Sequence, residues 1–208
     1  MVERYYDKLH DPAWRNPFRS AGFVRGGTIP GSSGSDIPIA SLPPFLRALL
    51  VTDGTVTKIL EAYFWEPVEV RTLKQEFVAA EREVSWIQVH ATDRVLIRRV
   101  QLVGRDSERI YVNAFSVIRT ELIPDAFRRR LIDREIGIGV LIRDSGMESY
   151  REVLEVGVEA VKGEMALQED DEMVFRTYRI IIEREPVILI TESFPLALYR
   201  ESGQFGKN

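Results

Sequence analysis

Two charged residues sit where strand periodicity calls for apolar side chains, and they are the first candidates for chemistry in this chain. In the segment from Val187 to Phe194, Ile188, Ile190, Glu192 and Phe194 share one face, so a carboxylate interrupts an aliphatic row. In the segment from Arg94 to Val103, Arg98 falls on the same face as Leu96, Val100 and Leu102. An unpaired buried charge is costly, so such groups pair, change protonation state or face a cavity that a ligand fills. Two readings follow. Either Arg98 and Glu192 form a buried ion pair or one of them lies on a solvent-facing side, or else Arg98 holds an anionic ligand in a closed pocket in which Glu192, raised in pKa among aliphatic neighbours, acts as a general acid.

The rest of the composition narrows the chemistry to such groups. Cysteine is absent and only His10 and His90 supply imidazole, in no metal-binding spacing, which leaves carboxylates, arginines, hydroxyls and backbone groups and predicts neither metal nor redox cofactor. The 28 basic and 32 acidic residues are interspersed and sum to −4, which argues against a nucleic-acid partner. No apolar run approaches the ~20 residues of a membrane helix, and the N-terminal residues from Met1 to Phe18 have neither the apolar core of a secretory signal nor the acid-poor character of a transit peptide. The expected setting is cytoplasmic, with a small molecule as partner.

The elements that must position these residues can be read in order. Residues from Phe18 to Ser41 are rich in Gly, Ser and Pro without a structural period, and read as a flexible arm occupying residues 1–41. A domain over 42–200 follows, with 201–208 as a tail. A short helix runs through Phe45, Leu46, Leu49 and Leu50, Asp53-Gly54 breaks it, and a second helix carries Val56, Ile59, Leu60, Tyr63 and Phe64 with Asp53 or Thr55 as N-cap. Three strands from Val68 to Glu76, Val95 to Val103 and Ile110 to Ile118 form an antiparallel meander. Pro124, Phe127 and Leu131 mark a helix whose triplet Arg128–Arg130 is a solvated face. Ser145 and Glu148 read as a capping box opening a helix with a stripe of Met147, Tyr150, Leu154, Val158 and Val161. Two strands from Val174 to Glu183 and Val187 to Phe194 close the domain as a hairpin. The expected fold is α+β, a single largely antiparallel sheet with helices packed on one side.

Five segments in order resemble the chorismate pyruvate-lyase family, in its archaeal and actinobacterial branch: D-G-T-V-T-K-I-L-E from Asp53, V-L-I-R-R-V-Q-L-V-G from Val95, G-I-G from Gly137, R-T-Y-R from Arg176 and P-V-I-L-I-T-E-S-F from Pro186. The resemblance spans about Leu42 to Arg200. It implies elimination of pyruvate from chorismate to give 4-hydroxybenzoate, with Arg98 on the ring carboxylate, Glu192 on the oxygen substituents at the far end of the ring, and main-chain contacts from Val56 and Ile138. Val56 also lies in the first turn of a helix, whose free N–H groups favour an anion. Where proteobacterial members carry an arginine, this chain reads Asn113-Ala114-Phe115-Ser116, and Arg176 and Arg179 are the candidates for the second carboxylate. Two alternatives stay open. One is a non-catalytic sensor of the same fold, against which stands the lack of a DNA-binding helix-turn-helix in the first 41 residues. The other is a lyase for a related chorismate-derived acid.

Overall fold

The computed structural model describes residues 27–133, 137–160 and 172–202. Strands β1 (Thr28–Pro30) and β2 (Asp36–Pro38) form a small hairpin. Helices α1 (Pro44–Val51) and α2 (Val56–Phe64) follow, then β3 (Val68–Ala79), β4 (Arg94–Gly104) and β5 (Ile110–Ile118). Helices α3 (Asp125–Ile132) and α4 (Ile138–Ser145) lead to β6 (Ser149–Ala160), β7 (Glu172–Ile182), β8 (Glu185–Pro195) and the terminal helix α5 (Leu196–Ser202).

The main sheet has the order β3-β4-β5-β8-β7-β6, with every neighbour antiparallel. It is two three-stranded meanders joined edge to edge where β5 pairs with β8. The first four helices cover one face, burying Leu46, Leu49, Leu50 and Leu60 at one end and Phe127, Leu131, Leu141 and Ile142 at the other. A connection containing the 3-10 turn Ser85–Ile87 packs Val84, Trp86, Ile87 and Val89 on the opposite face. The α+β expectation holds. Among the described residues no helix is long and apolar enough to cross a membrane.

Two expectations need correction. Ser145 ends a helix instead of starting one: Gly146, at φ 66, caps α4, and Ser145 Oγ donates to the Ile142 carbonyl at 2.6 Å. The segment beyond it is β6. Its apparent helical stripe arises from a β-bulge between Val153 and Glu155, which shifts the alternation by one residue. Tyr150, Leu154 and Val158 then look four apart on one face, although Leu154 packs on one side of the sheet and Val158 on the other. Val161 lies outside the described residues. The second correction concerns the arm. Residues 18–26 are outside the description, but Thr28 to Ser41 form the β1–β2 hairpin and a 3-10 turn, anchored by the buried Ile29 and Ile39.

At the solvated end of the first meander, Glu66 ties the turn between β4 and β5 to the end of α2. Its carboxylate accepts hydrogen bonds from Tyr111 Oη, from Ser107 Oγ at 2.7 Å, and from the N–H groups of Asp106 and Ser107 at 2.9 and 3.0 Å. Burial alone would raise its pKa, but these donors outweigh it and hold the group down at about 2. With the folded value below the unfolded one, the stabilisation is complete above the ordinary carboxylate range and fades as pH falls towards 2. Its size is on the order of 2 kcal/mol after allowance for partial exposure. Urea unfolding midpoints measured from pH 6 to pH 2.5 are expected to fall less steeply in Glu66→Gln than in wild type.

Candidate active site

Strand register brings the two charges of the sequence pattern to one face. Arg98 on β4 pairs with Ser116 on β5, while Glu192 on β8 pairs with Ala114, two residues from Ser116 on the same face of β5. Both side chains line one cavity between the sheet and the helices, floored by Val100, Ala114, Ile180 and Ile190. Arg98 is 2% exposed and Glu192 7%. A bulge between Thr72 and Lys74 in β3 lies beside Arg98, and Thr72 Oγ1 accepts a hydrogen bond from Arg98 Nη2 at 3.3 Å.

Glu192 is not the isolated carboxyl that the strand pattern suggests. Arg176, directly opposite it on β7, donates through Nε to Oε2 at 2.8 Å, and Tyr178 Oη donates to Oε1 at 3.0 Å. Arg176 is 1% exposed and stacks its guanidinium 4.9 Å from the centre of the Tyr178 ring. Burial pushes the Tyr178 hydroxyl well above its ordinary value, the charge of Glu192 adds to this, and Arg176 and Arg151 pull against it. The reading of Glu192 as a protonated acid assumed aliphatic neighbours only. Its oxygens instead accept hydrogen bonds from a guanidinium and a phenol.

The roof of the cavity is made of two helix starts. Gly54, Thr55 and Val56 at the start of α2 and Gly137, Ile138 and Gly139 at the start of α4 all face it. Neither helix has a side-chain cap, so the first N–H groups of both remain outside the helical ladder. Thr55 holds the expected N-cap position. The two starts approach closely: a Cβ on Gly139 would lie 3.3 Å from Thr55 Cγ2, tighter than most side-chain contacts. Two arginines from neighbouring strands fix the loop that feeds α2. Arg176 Nη1 donates to the Thr52 carbonyl at 2.8 Å, and Arg151 Nη1, from β6, donates to the carbonyl of Asp53.

The sequence model of the family described as chorismate pyruvate-lyase Rv2949c-like matches residues 50–201. This chain belongs to that family. The chorismate pyruvate-lyase of Mycobacterium tuberculosis (strain CDC 1551 / Oshkosh) is 30% identical over 175 residues, 81% of this chain and 88% of that protein. The chorismate pyruvate-lyase of Mycobacterium leprae (strain TN) is 28% identical over 172 residues, 79% and 80% of the respective chains. Among solved structures, the effector domain of PhnF from Mycobacterium smegmatis aligns with a TM-score of 0.54 at 11% identity over 68% of this chain and 88% of that one. That likeness concerns the fold.

Of the residues singled out from the sequence of this lyase, Arg98, Glu192, Val56 and Ile138 line the cavity together. Arg176 stands behind Glu192 instead of lining the space. Arg179 does not belong to the site: three residues from Arg176 in a strand, it points to the opposite face, where Nε bonds Glu152 at 2.6 Å and Nη1 bonds the Trp86 carbonyl at 2.9 Å. Asn113 also faces away from the cavity, paired between Gln101 and Ser193. Two residues of the site escaped the sequence reading. Tyr178 shares strand parity with Arg176 and could have been found by it. Arg151 could not, because its segment reads as a helix.

Proposed function

We propose that the lyase binds chorismate in this cavity and eliminates pyruvate from it to release 4-hydroxybenzoate, with no metal or redox cofactor. The observation that carries the reading is the placing of Arg98 and Glu192 on one buried sheet face, lining one cavity beneath two uncapped helix starts. Arg98 meets the ring carboxylate in this reading. Glu192, held by Arg176 and Tyr178, accepts a hydrogen bond from the ring hydroxyl at the other end. The substrate is thereby fixed in orientation before reaction.

Loss of the ring proton beside that hydroxyl and cleavage of the ring–oxygen bond of the enolpyruvyl ether leave an aromatic ring and the enolate of pyruvate. The enolate then takes up a proton on carbon, so no oxidant or reductant is needed. Negative charge grows on the departing ether oxygen. The free N–H groups at Val56 and Ile138 suit that position, and fixed donors in a closed site stabilise developing charge. This replaces protonation by Glu192 as the source of leaving-group assistance.

The interspersed surface charge supports a small-molecule partner and no nucleic acid, and we place the reaction in the cytoplasm. The sensor reading keeps only the fold likeness in its favour. Incubation of the purified chain with chorismate is expected to give equal amounts of pyruvate and 4-hydroxybenzoate, followed by lactate dehydrogenase coupling and by chromatography. Chorismate bound but recovered unchanged would favour a sensor, and a different aromatic acid would reassign the product.

A further inference from the structure

We infer that Arg151 binds the second carboxylate of the substrate, the one that leaves with pyruvate. This rests on the chorismate reading of the cavity and adds to it a residue for an otherwise unheld charge. A dianion needs two cationic contacts, and among the described residues that line the cavity the only cations are Arg98 and Arg151. They enter from opposite sides. Arg98 is on β4 and Arg151 on β6, four strands along the sheet order β4-β5-β8-β7-β6, about 19 Å apart by inter-strand spacing. Arg151 pairs with Ile180, whose side chain also lines the cavity, so register puts Arg151 on the face that carries Arg98 and Glu192.

The local geometry points the guanidinium at both helix starts. Nη1 is committed to the carbonyl of Asp53, just ahead of α2. Nη2 reaches the first turn of α4, where a Cβ on Gly139 would lie 3.7 Å from it. A carboxylate placed there meets a guanidinium edge beside the two helix starts, next to the ether oxygen that their N–H groups face. The charge balance agrees. Around Glu192, the guanidiniums of Arg98, Arg151 and the supporting Arg176 leave two positive charges in excess, matching two carboxylates. Arg176, already paired with Glu192 and bonded to Thr52, does not line the cavity, and Arg179 is on the wrong face of the sheet.

The rival account is that Arg151 only ties down the Asp53 loop. Two unreactive probes separate these roles: 3-(carboxymethoxy)benzoate, which keeps both carboxylates, and 3-methoxybenzoate, which keeps the ring carboxylate and the ether but not the second acid. Calorimetric titration of the full chain is expected to show a wild-type preference for the dicarboxylate. Arg151→Ala should lose dicarboxylate affinity on the order of 10- to 100-fold, the worth of a charge-assisted hydrogen bond, with the methoxy compound changed less than about twofold by the same reasoning. Arg151→Lys, which keeps the charge and guards against a misfolded alanine variant, should retain part of the preference. Equal losses for both probes, or no loss for either, would overturn the assignment. If wild type binds neither probe, the chorismate reading of the cavity fails instead.

Discussion

Glu192→Ala is expected to unfold more readily than wild type as well as to lose activity. The substitution strands the Arg176 guanidinium, 1% exposed and ion-paired at 2.8 Å, without its counter-charge. Breaking a buried pair from one side costs about 3–5 kcal/mol, a large fraction of the stability of a domain this size. From the strand pattern alone the same substitution looks harmless to the fold, since it deletes a carboxyl among aliphatic side chains. Glu192→Gln is the variant that separates the two effects: it can still accept from Tyr178 while losing the charge. We expect it to melt closer to wild type and to lose pyruvate release on the order of 10²-fold, because a neutral amide is a poorer acceptor for the ring hydroxyl. Melting temperatures and kcat/KM of the two variants, measured together, decide this. A well-folded Glu192→Gln with near wild-type turnover would remove the carboxylate from the chemistry.

Arg98→Lys is expected to weaken aromatic carboxylate binding despite keeping the charge. A guanidinium can meet a carboxylate through two parallel hydrogen bonds, and an ammonium cannot. Arg98 is additionally oriented by Thr72, a contact that a shorter ammonium would not reproduce. In wild type, 4-hydroxybenzoate should bind at least an order of magnitude more tightly than phenol, and in Arg98→Ala the two should bind nearly alike. A four-way titration of both ligands against both proteins measures the coupling directly. An unchanged preference for the carboxylate in Arg98→Ala would show that another group holds it.

How much of this was legible beforehand depended on how far each inference reached along the chain. The placement of Arg98 and Glu192 on apolar faces needs only the alternation within a single strand, and β4 and β8 alternate without interruption over the residues concerned. Identifying the partner of Glu192 needs the register of the β7–β8 hairpin. Arg176 lies opposite it because an irregularity between Ile180 and Ile181 shifts the pairing by one residue, which the predicted hairpin alone does not fix. Arg176 and Arg179 cannot both reach one site, because strand parity sends residues three apart to opposite faces. Arg151 was hidden by the bulge at Val153 and Glu155, where one extra residue makes a strand mimic a helical stripe.

The joint between the two meanders also bears on how the site comes into being. Each meander is built from strands close in sequence, whereas the β5–β8 seam pairs residues 70 to 80 positions apart, from Ile118 with Ile188 to Asn113 with Ser193. Closing so long a loop is entropically costly, so contacts across the seam are expected to form late in folding. Arg98 belongs to the first meander, and Glu192, Arg176, Tyr178 and Arg151 to the second. A half-assembled chain therefore holds either Arg98 or the four residues of the second meander, never both. A ligand that bridges them recognises the finished sheet alone, and its binding energy adds to the strength of the seam itself.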